Sequence, residues 1–168
     1  MSYDLYMLAP VDGEDPMETL EARDGRAAPL TPEAEARNRR LADALTAANP
    51  AYHPMEPPSD EYIAVTDQKG IEVSLYEDEA AINFPYWDSL DLDYVTAQIE
   101  TASAIVAAET GWRLYDPQLE QFFDPARDAG ALRDAFGVGA AAVNKINAEQ
   151  ATAEAPRPPW WKRLLGGR

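Results

Sequence analysis

Residues 61–88, EYIAVTDQKGIEVSLYEDEAAINFPYWD, decide the fold, because they predict two or three short antiparallel strands. The middle of the stretch alternates apolar with polar residues at the period of two that is typical of a half-buried strand, with apolar positions Ile71, Val73 and Leu75. A shorter β-prone run, 62–65, precedes it. Gly70 lies in the intervening turn and tolerates positive φ, so the two runs predict a hairpin.

A third strand follows an acidic turn made of Glu77, Asp78 and Glu79. The alternation resumes at Ala80, which predicts a meander. Pro85 has no N–H to donate to a strand ladder, so we expect this strand to end there or to lie at an edge.

The remaining elements predict an α+β domain with helices covering one face of a largely antiparallel sheet of four to five strands. The strands outside the meander are expected at 2–9, in the middle of the sheet, and at 112–123, and the helices at 31–49, 94–110 and 128–150. The predicted order is β-α-β-β-β-α-β-α, and a ferredoxin-like arrangement is one candidate. We expect one domain at 1–150, a Pro/Ala linker at 151–159 and a separate tail at 160–168.

Helix boundaries carry recognisable signals. Thr31 followed by Pro32 is typical of a helix start, and Gly111 is typical of a helix end. The predicted apolar face of the first helix consists of Ala34, Leu41, Leu45 and Ala48, and that of the second of Val95, Ile99, Ala102 and Val106.

The charge balance is strongly acidic, with a formal net charge of −16. Residues 156–168 hold four cations and no acid, which leaves 10 cations and 30 acids, a net charge of −20, in the rest of the chain. Such a body repels phosphates, so we expect no nucleic acid partner. It favours a basic protein partner, and plain surface solvation is the alternative.

Other compositional features exclude whole classes. The chain has no cysteine, so it has no disulfide framework and no thiolate site. The first residues, MSYDLYMLAP, lack the basic and apolar regions of a signal peptide, and no apolar run is long enough for a membrane span. We therefore expect a cytoplasmic protein, and the abundance of alanine and arginine is typical of a bacterial gene of high GC content.

No catalytic or cofactor motif stands out, so we expect neither an enzyme nor a cofactor. His53 is the only histidine, which argues against a catalytic triad or a zinc site. Gly137-Val138-Gly139 lacks the strand and third glycine of a dinucleotide fingerprint. No run of acids has calcium-loop spacing. A hydrolase with two carboxylates remains an alternative.

An aromatic and acidic patch is the predicted partner-binding surface. It combines the acidic turn with the end of the third strand, and its residues are Glu77, Asp78, Glu79, Tyr86, Trp87 and Asp88. Aromatic anchors surrounded by carboxylates suit a basic protein. Trp112, by contrast, is expected in the core.

The C-terminal tail is the second candidate surface. It places apolar and cationic residues together, namely Trp160, Trp161, Lys162, Arg163, Leu164 and Leu165. Two interpretations are open. The tail docks on a protein surface, which is its own acidic body, a second copy or a partner, or it binds weakly to an anionic membrane surface. The tail therefore gives an alternative function, recruitment of a peripheral or assembly protein.

Three segments carry a resemblance: the SYDL start, the IEVSLYEDEAAINFPYW hairpin and the helix end ETGWRLYDPQ. Over about residues 2–120 the chain resembles small uncharacterised acidic bacterial proteins of the immunity-protein type. The resemblance implies a non-catalytic protein that neutralises a basic partner by covering its site. It does not extend to the tail.

Overall fold

The computed structural model describes residues 2–11, 13, 15–23, 28–85, 91–124, 127–128, 130 and 134. Within these residues the elements are, in chain order, β1 (Ser2–Leu8), α1 (Pro16–Arg23), α2 (Pro32–Ala48), β2 (His53–Pro54), β3 (Ile63–Thr66), β4 (Glu72–Leu75), β5 (Glu79–Pro85), α3 (Leu92–Thr110), β6 (Arg113–Asp116) and β7 (Gln121–Phe123). The predicted helix 128–150 and the linker and tail lie outside the described residues, apart from 128, 130 and 134.

All seven strands form one antiparallel sheet in the order β2-β3-β4-β5-β1-β6-β7. β1 lies inside the sheet, as predicted, with Met7 opposite Ala80 of β5 and Leu114 of β6. The hairpin of β3 and β4 is confirmed, and Gly70 in its turn has a φ of 79°. Pro85 ends β5, which lies inside the sheet and not at an edge.

The central part of the sheet has the split β-α-β arrangement of the ferredoxin-like folds. β4, β5, β1 and β6 are neighbours, and the chain visits them in the order β1-α2-β4-β5-α3-β6. β2 and β3 extend one edge of this unit, and β7 extends the other. The residues that build the candidate site described below lie at the extended β2–β3 edge.

The hydrophobic core lies between the sheet and the helices α2 and α3. Tyr3, Leu5 and Met7 of β1 point into it, as their alternation predicts. The predicted face of α3 is confirmed, since Val95, Ile99, Ala102 and Val106 are all buried, and Trp112 packs in the core as expected. Full burial of an aliphatic side chain stabilises the fold by about 1.5–3 kcal/mol, so these residues dominate its stability.

Side chains cap the starts of α2 and α3, and the start of α2 predicted at Thr31 is confirmed. Thr31 Oγ1 accepts a hydrogen bond from the Ala34 N–H at 3.2 Å, and Asp91 caps α3 through the N–H groups of Asp93 and Tyr94. Gly111 ends α3 with a φ of 73°, in the left-handed region that favours glycine.

The structure has seven strands instead of the predicted four to five. The proline-rich segment 50–58, which connects α2 to β3, contains the short strand β2, because His53 pairs with Thr66 of β3. The expected single strand 112–123 is a hairpin, β6 and β7, because the Asp116 carboxylate accepts the N–H groups of Gln118 and Leu119 and folds the chain back. The structure also contains the short helix α1, which was not among the predicted elements.

Candidate functional site

The predicted acidic turn, 77–79, joins β4 to β5 and lies against the start of α2. The Tyr76 N–H donates to the Glu79 carbonyl at 2.9 Å and closes the turn. The Glu77 carboxylate accepts two hydrogen bonds from Thr31, one from its N–H and one from its hydroxyl, both at 2.9 Å. Glu77 therefore holds the N-cap of α2 and serves the fold.

Two side chains of α2 also donate hydrogen bonds to the backbone of this turn and of the residues before it. Arg37 Nη2 donates to the carbonyls of Tyr76 and Glu77 at 2.8 and 2.7 Å, and its guanidinium lies 4.9 Å from the ring centre of Trp112. The amide of Asn38, which is fully buried, donates to the carbonyls of Leu75 and Tyr76. Arg37 and Asn38 thus couple the turn to the core.

The predicted face of α2 needs one correction here. Ala48 is exposed, and the buried row consists of Ala34, Asn38, Leu41 and Leu45. The spacing of three or four residues was available in the sequence. A polar residue on that row was not recognised as buried because its partners, two strand carbonyls, are distant in the chain.

Beside the turn, an open cleft of about 550 Å³ lies between α2 and the β2–β3 edge. We call it the acidic cleft. Its apolar lining consists of four proline rings and several small or aliphatic side chains, with one tyrosine: Pro29, Pro54, Pro57, Pro58, Leu30, Ala42, Met55, Ile63, Ala64, Val65 and Tyr62. Tyr62 also contacts Tyr76, with ring centres 5.4 Å apart, so the cleft and the acidic turn are neighbours.

Two backbone hydrogen bonds join segments that line the cleft. The Leu30 N–H donates to the Asp60 carbonyl at 2.8 Å, and the Met55 N–H donates to the Ala64 carbonyl at 3.0 Å. β2, at the sheet edge, has only two residues, and Pro54 offers no N–H to a further strand. A ligand therefore meets this edge through side chains and not by strand addition.

The charge of the cleft is one-sided. Its lining includes four carboxylates and one guanidinium, those of Glu35, Asp43, Glu56, Asp60 and Arg39. Arg39 is paired with Glu35 at 2.5 Å. Asp43, Glu56 and Asp60 are exposed and have no ion-pair partner among the described residues. Three negative charges thus face solvent beside the apolar residues that line the cleft.

Sequence reasoning missed these three acids. Asp43 lies on α2, whereas Glu56 and Asp60 lie in the proline-rich segment between β2 and β3. The only available signal was the alternation of prolines with acids at 54–60. Nothing in the local pattern indicates that α2 lies across from that crossing, because this proximity is created by the pairing of β2 with β3.

A second groove, of about 970 Å³, lies between α3 and β6–β7. Its charges nearly balance, with three carboxylates, of Glu100, Asp124 and Asp128, and two guanidiniums, of Arg113 and Arg127. Arg127 is paired with Asp124 at 2.8 Å, and Arg113 lies over the ring of Phe122. This groove offers a cation far less than the acidic cleft does.

A buried carboxylate, that of Asp67, organises the turn between β3 and β4. Its Oδ1 accepts the N–H groups of Lys69 and Ile71 at 2.8 and 2.9 Å, and its Oδ2 accepts the Tyr94 hydroxyl at 2.7 Å. Burial, together with the hydrogen bond to Asp67, raises the pKa of Tyr94. The Lys69 ammonium lies 3.7 Å from the Tyr94 ring centre.

The Tyr52 hydroxyl is an exception among the buried polar groups. It is buried and has no hydrogen-bond partner within the described part of the chain. Burial is the main cause that raises the pKa of Tyr52 far above its ordinary range, and the charges of Asp67 and Tyr94 raise it further. A buried hydroxyl without a partner costs about 1–3 kcal/mol.

The other predicted site residues are placed as follows. Tyr86, Trp87 and Asp88 lie outside the described residues, as does the tail with Trp160, Trp161, Lys162, Arg163, Leu164 and Leu165. Their assignment to partner binding and docking stays a prediction. His53 is exposed on β2, and its Nδ1 lies 3.4 Å from the Ala51 carbonyl oxygen.

Comparison with known proteins adds no relative: no family model, no curated protein and no solved structure matches this chain. Among the described residues, no group of three histidine, aspartate or glutamate side chains is arranged to hold a metal ion. None of the described helices combines the length and apolar character that a membrane span requires.

Proposed function

We propose that the protein is a non-catalytic binding module that engages a basic protein partner through the acidic cleft, in the manner of an immunity or adaptor protein. One observation carries the proposal: the carboxylates of Asp43, Glu56 and Asp60, which have no cationic partner among the described residues, line a cleft together with four prolines and other apolar residues. Carboxylates held for the fold alone are bonded within the chain, as that of Asp67 is.

Long-range attraction and short-range fit have separate sources in this surface. The charge of −20 on residues 1–155 attracts a cationic partner over roughly a Debye length and speeds association. The apolar floor then supplies affinity by contact, since rim charges contribute more to the association rate than to the free energy of binding.

The lining of the cleft also defines the chemistry of the partner. Proline rings and the Tyr62 ring form flat apolar surfaces on which an aromatic or long aliphatic side chain packs. The carboxylates around them suit lysine or arginine at neighbouring positions. The expected ligand is a cationic segment with an apolar or aromatic anchor, presented by a basic protein.

Capture from a lysate of the producing cells tests this proposal when three variants of the full chain are compared with wild type. Asp43→Lys/Asp60→Lys reverses the sign of two charges that line the cleft. Glu18→Lys/Glu21→Lys changes the net charge equally on α1, which borders β6 and β7 and not the cleft. Trp160→Ala/Trp161→Ala disables the tail.

A basic protein that is retained by wild type, the α1 variant and the tail variant but lost by the cleft variant supports the proposal. Retention by the cleft variant contradicts it. Loss only with the tail variant also contradicts it and supports the alternative predicted from the sequence, recruitment through the tail.

A further inference from the structure

The acidic cleft and the C-terminal tail of the same chain have complementary chemistry. The cleft is lined by proline rings, by Tyr62 and by three carboxylates that have no ion-pair partner within the described part of the chain. The segment 156–168, PRPPWWKRLLGGR, carries four cations, no acid and two adjacent tryptophans. This segment has the anchor-plus-cation composition that the cleft is expected to bind.

We propose that the tail, residues 160–168, occupies the acidic cleft of its own chain and that a basic partner must displace it. The inference rests on the proposed function, because it names an internal ligand for the same cleft. Trp160 and Trp161 pack on the proline and tyrosine rings, and Lys162 and Arg163 meet the carboxylates of Asp43, Glu56 and Asp60.

The length of the chain permits this contact. The cleft lies at the β2–β3 edge, whereas the last continuously described residue, Asp124, follows β7 at the opposite edge. Six spacings of about 4.8 Å separate the outermost strands, or about 29 Å in total. Trp160 follows Asp124 by 36 residues, and even a random coil of that length spans about 33 Å.

Charge selects the acidic cleft over the second groove. The groove between α3 and β6–β7 lies closer to Asp124, but its two guanidiniums, of Arg113 and Arg127, repel a cationic tail and nearly balance its acids. The only guanidinium lining the cleft, that of Arg39, is already paired with Glu35. The cationic segment therefore gains more at the cleft.

Tethering makes even a weak contact effective. A flexible tether gives an effective concentration of about 1 mM, so a segment with a Kd of about 0.1 mM fills its site in about nine of ten molecules. A ligand in solution then binds about tenfold more weakly than it binds to an empty cleft. The tail thus acts as a built-in competitor that lowers the apparent affinity of every ligand for the cleft by the same factor.

Fluorotryptophan labelling of the full-length protein tests the contact directly. The chain has four tryptophans, Trp87, Trp112, Trp160 and Trp161, whose ¹⁹F resonances are assigned by replacing each with phenylalanine. The difference in shift between H₂O and D₂O measures the solvent exposure of each ring. In wild type at low salt, we expect the two tail resonances to be shielded to the same extent at every protein concentration.

Charge reversal identifies where the tail docks. Asp43→Lys/Asp60→Lys is expected to expose Trp160 and Trp161, and the matched α1 variant Glu18→Lys/Glu21→Lys is expected to leave them shielded. Adding Lys162→Glu/Arg163→Glu to the cleft variant is expected to restore the shielding. Circular dichroism checks that each variant is folded.

Three results would overturn the inference: tail tryptophans as exposed in wild type as in the cleft variant, equal exposure in the cleft and α1 variants, or shielding that rises with protein concentration. The third indicates that the tail binds a second copy. A partner that needs the cleft and is captured by the Trp160→Ala/Trp161→Ala protein would leave the proposed function intact even if the tail does not dock.

Discussion

The two edges of the sheet use carboxylates in opposite ways. At the β6–β7 edge, Asp116 is fully buried and accepts hydrogen bonds from the Tyr3 hydroxyl and from two backbone N–H groups. At the β2–β3 edge, Asp43 and Asp60 are exposed and have no ion-pair partner among the described residues. One edge uses its acid to hold the chain together, and the other presents its acids to solvent.

The difference teaches how to divide the acids of a strongly acidic protein into two groups. Carboxylates bonded to the protein itself, such as those of Asp67, Asp116 and Glu77, contribute to stability. Carboxylates without internal bonds contribute little to stability and remain available to a partner. Substitutions in the first group are therefore expected to change stability, and those in the second group to change binding.

The largest effect is expected at Asp116. Asp116→Ala removes the buried acceptor of the Tyr3 hydroxyl and of the N–H groups of Gln118 and Leu119, so we expect a loss of about 3–5 kcal/mol in the free energy of unfolding. Urea denaturation measures it. Tyr3→Phe, which removes one of the three donors, should cost about 1 kcal/mol. A loss below 1 kcal/mol for Asp116→Ala would mean that the buried carboxylate is dispensable.

Asn38→Leu is expected to cost about 2–3 kcal/mol, because the Leu75 and Tyr76 carbonyls both lose the Asn38 amide as a donor, and Arg37 continues to donate only to the second of them. Both carbonyls lie next to the acidic turn, so amide hydrogen exchange at residues 75–79 should accelerate as well. Ala48→Leu on the exposed end of the same helix is the control and should change stability little. Equal effects at the two positions would refute the role assigned to Asn38.

Tyr94→Phe and Tyr52→Phe are expected to have opposite signs. Removing the Tyr94 hydroxyl breaks its bonds to Asp67 and Asn49 and should cost about 1–2 kcal/mol. Removing the Tyr52 hydroxyl deletes a buried group without a partner among the described residues and should stabilise the protein by about 1 kcal/mol. Thermal or urea denaturation at neutral pH measures both. Equal signs would show that the Tyr52 hydroxyl is satisfied.

The raised pKa of Tyr52 adds a pH dependence with a defined sign. An unfolded tyrosine has a pKa of about 10. Below that pH the Tyr52 hydroxyl is protonated in both states, so it adds no pH dependence to the free energy of unfolding. Above pH 10 the unfolded state loses the proton first, so stability falls by up to about 1.4 kcal/mol per pH unit for each such tyrosine. Tyr52→Phe should make the decline between pH 10 and 11 shallower. An unchanged slope would contradict burial as the cause.

The smallest effect on stability is expected at the cleft. In the Trp160→Ala/Trp161→Ala background, in which the tail does not contribute, Asp43→Lys/Asp60→Lys should change the free energy of unfolding by less than about 0.5 kcal/mol, because both side chains are exposed and have no ion-pair partner among the described residues. Urea denaturation beside Glu18→Lys/Glu21→Lys provides the comparison. A loss above 1 kcal/mol for the cleft variant alone would place these acids with Asp116, among those that hold the fold.

The regular part of the fold was predictable from the sequence because its signals are local. The alternation at 71–75, the cap at Thr31 and the stop at Gly111 each depend on neighbouring residues only. The short strand β2, the buried place of Asn38 and the acidic cleft depend on partners that are far away in the chain. The residues that mark these features are Pro54 in β2, the amide of Asn38 and the acids of the cleft. Prolines, asparagines and acids are equally typical of loops and exposed surface.

The acidic turn illustrates the same limit for the site. Glu77 was predicted as a partner-binding residue because it lies in a run of exposed acids, and it is exposed. Its carboxylate nevertheless bonds Thr31, a contact across 46 positions that no local pattern indicates. The three carboxylates that lack such bonds lie beside it, around the cleft.

The most direct test of the cleft as the binding surface is the association rate of the captured basic protein, measured by stopped flow over a range of ionic strength. The α1 variant Glu18→Lys/Glu21→Lys and the cleft variant Asp43→Lys/Asp60→Lys carry the same net charge, so they separate local from global attraction. We expect the cleft variant to associate at least tenfold more slowly than the α1 variant at low salt, with the gap closing as salt rises. Equal rates for the two variants would show that net charge alone attracts the partner and would contradict a binding site in the cleft.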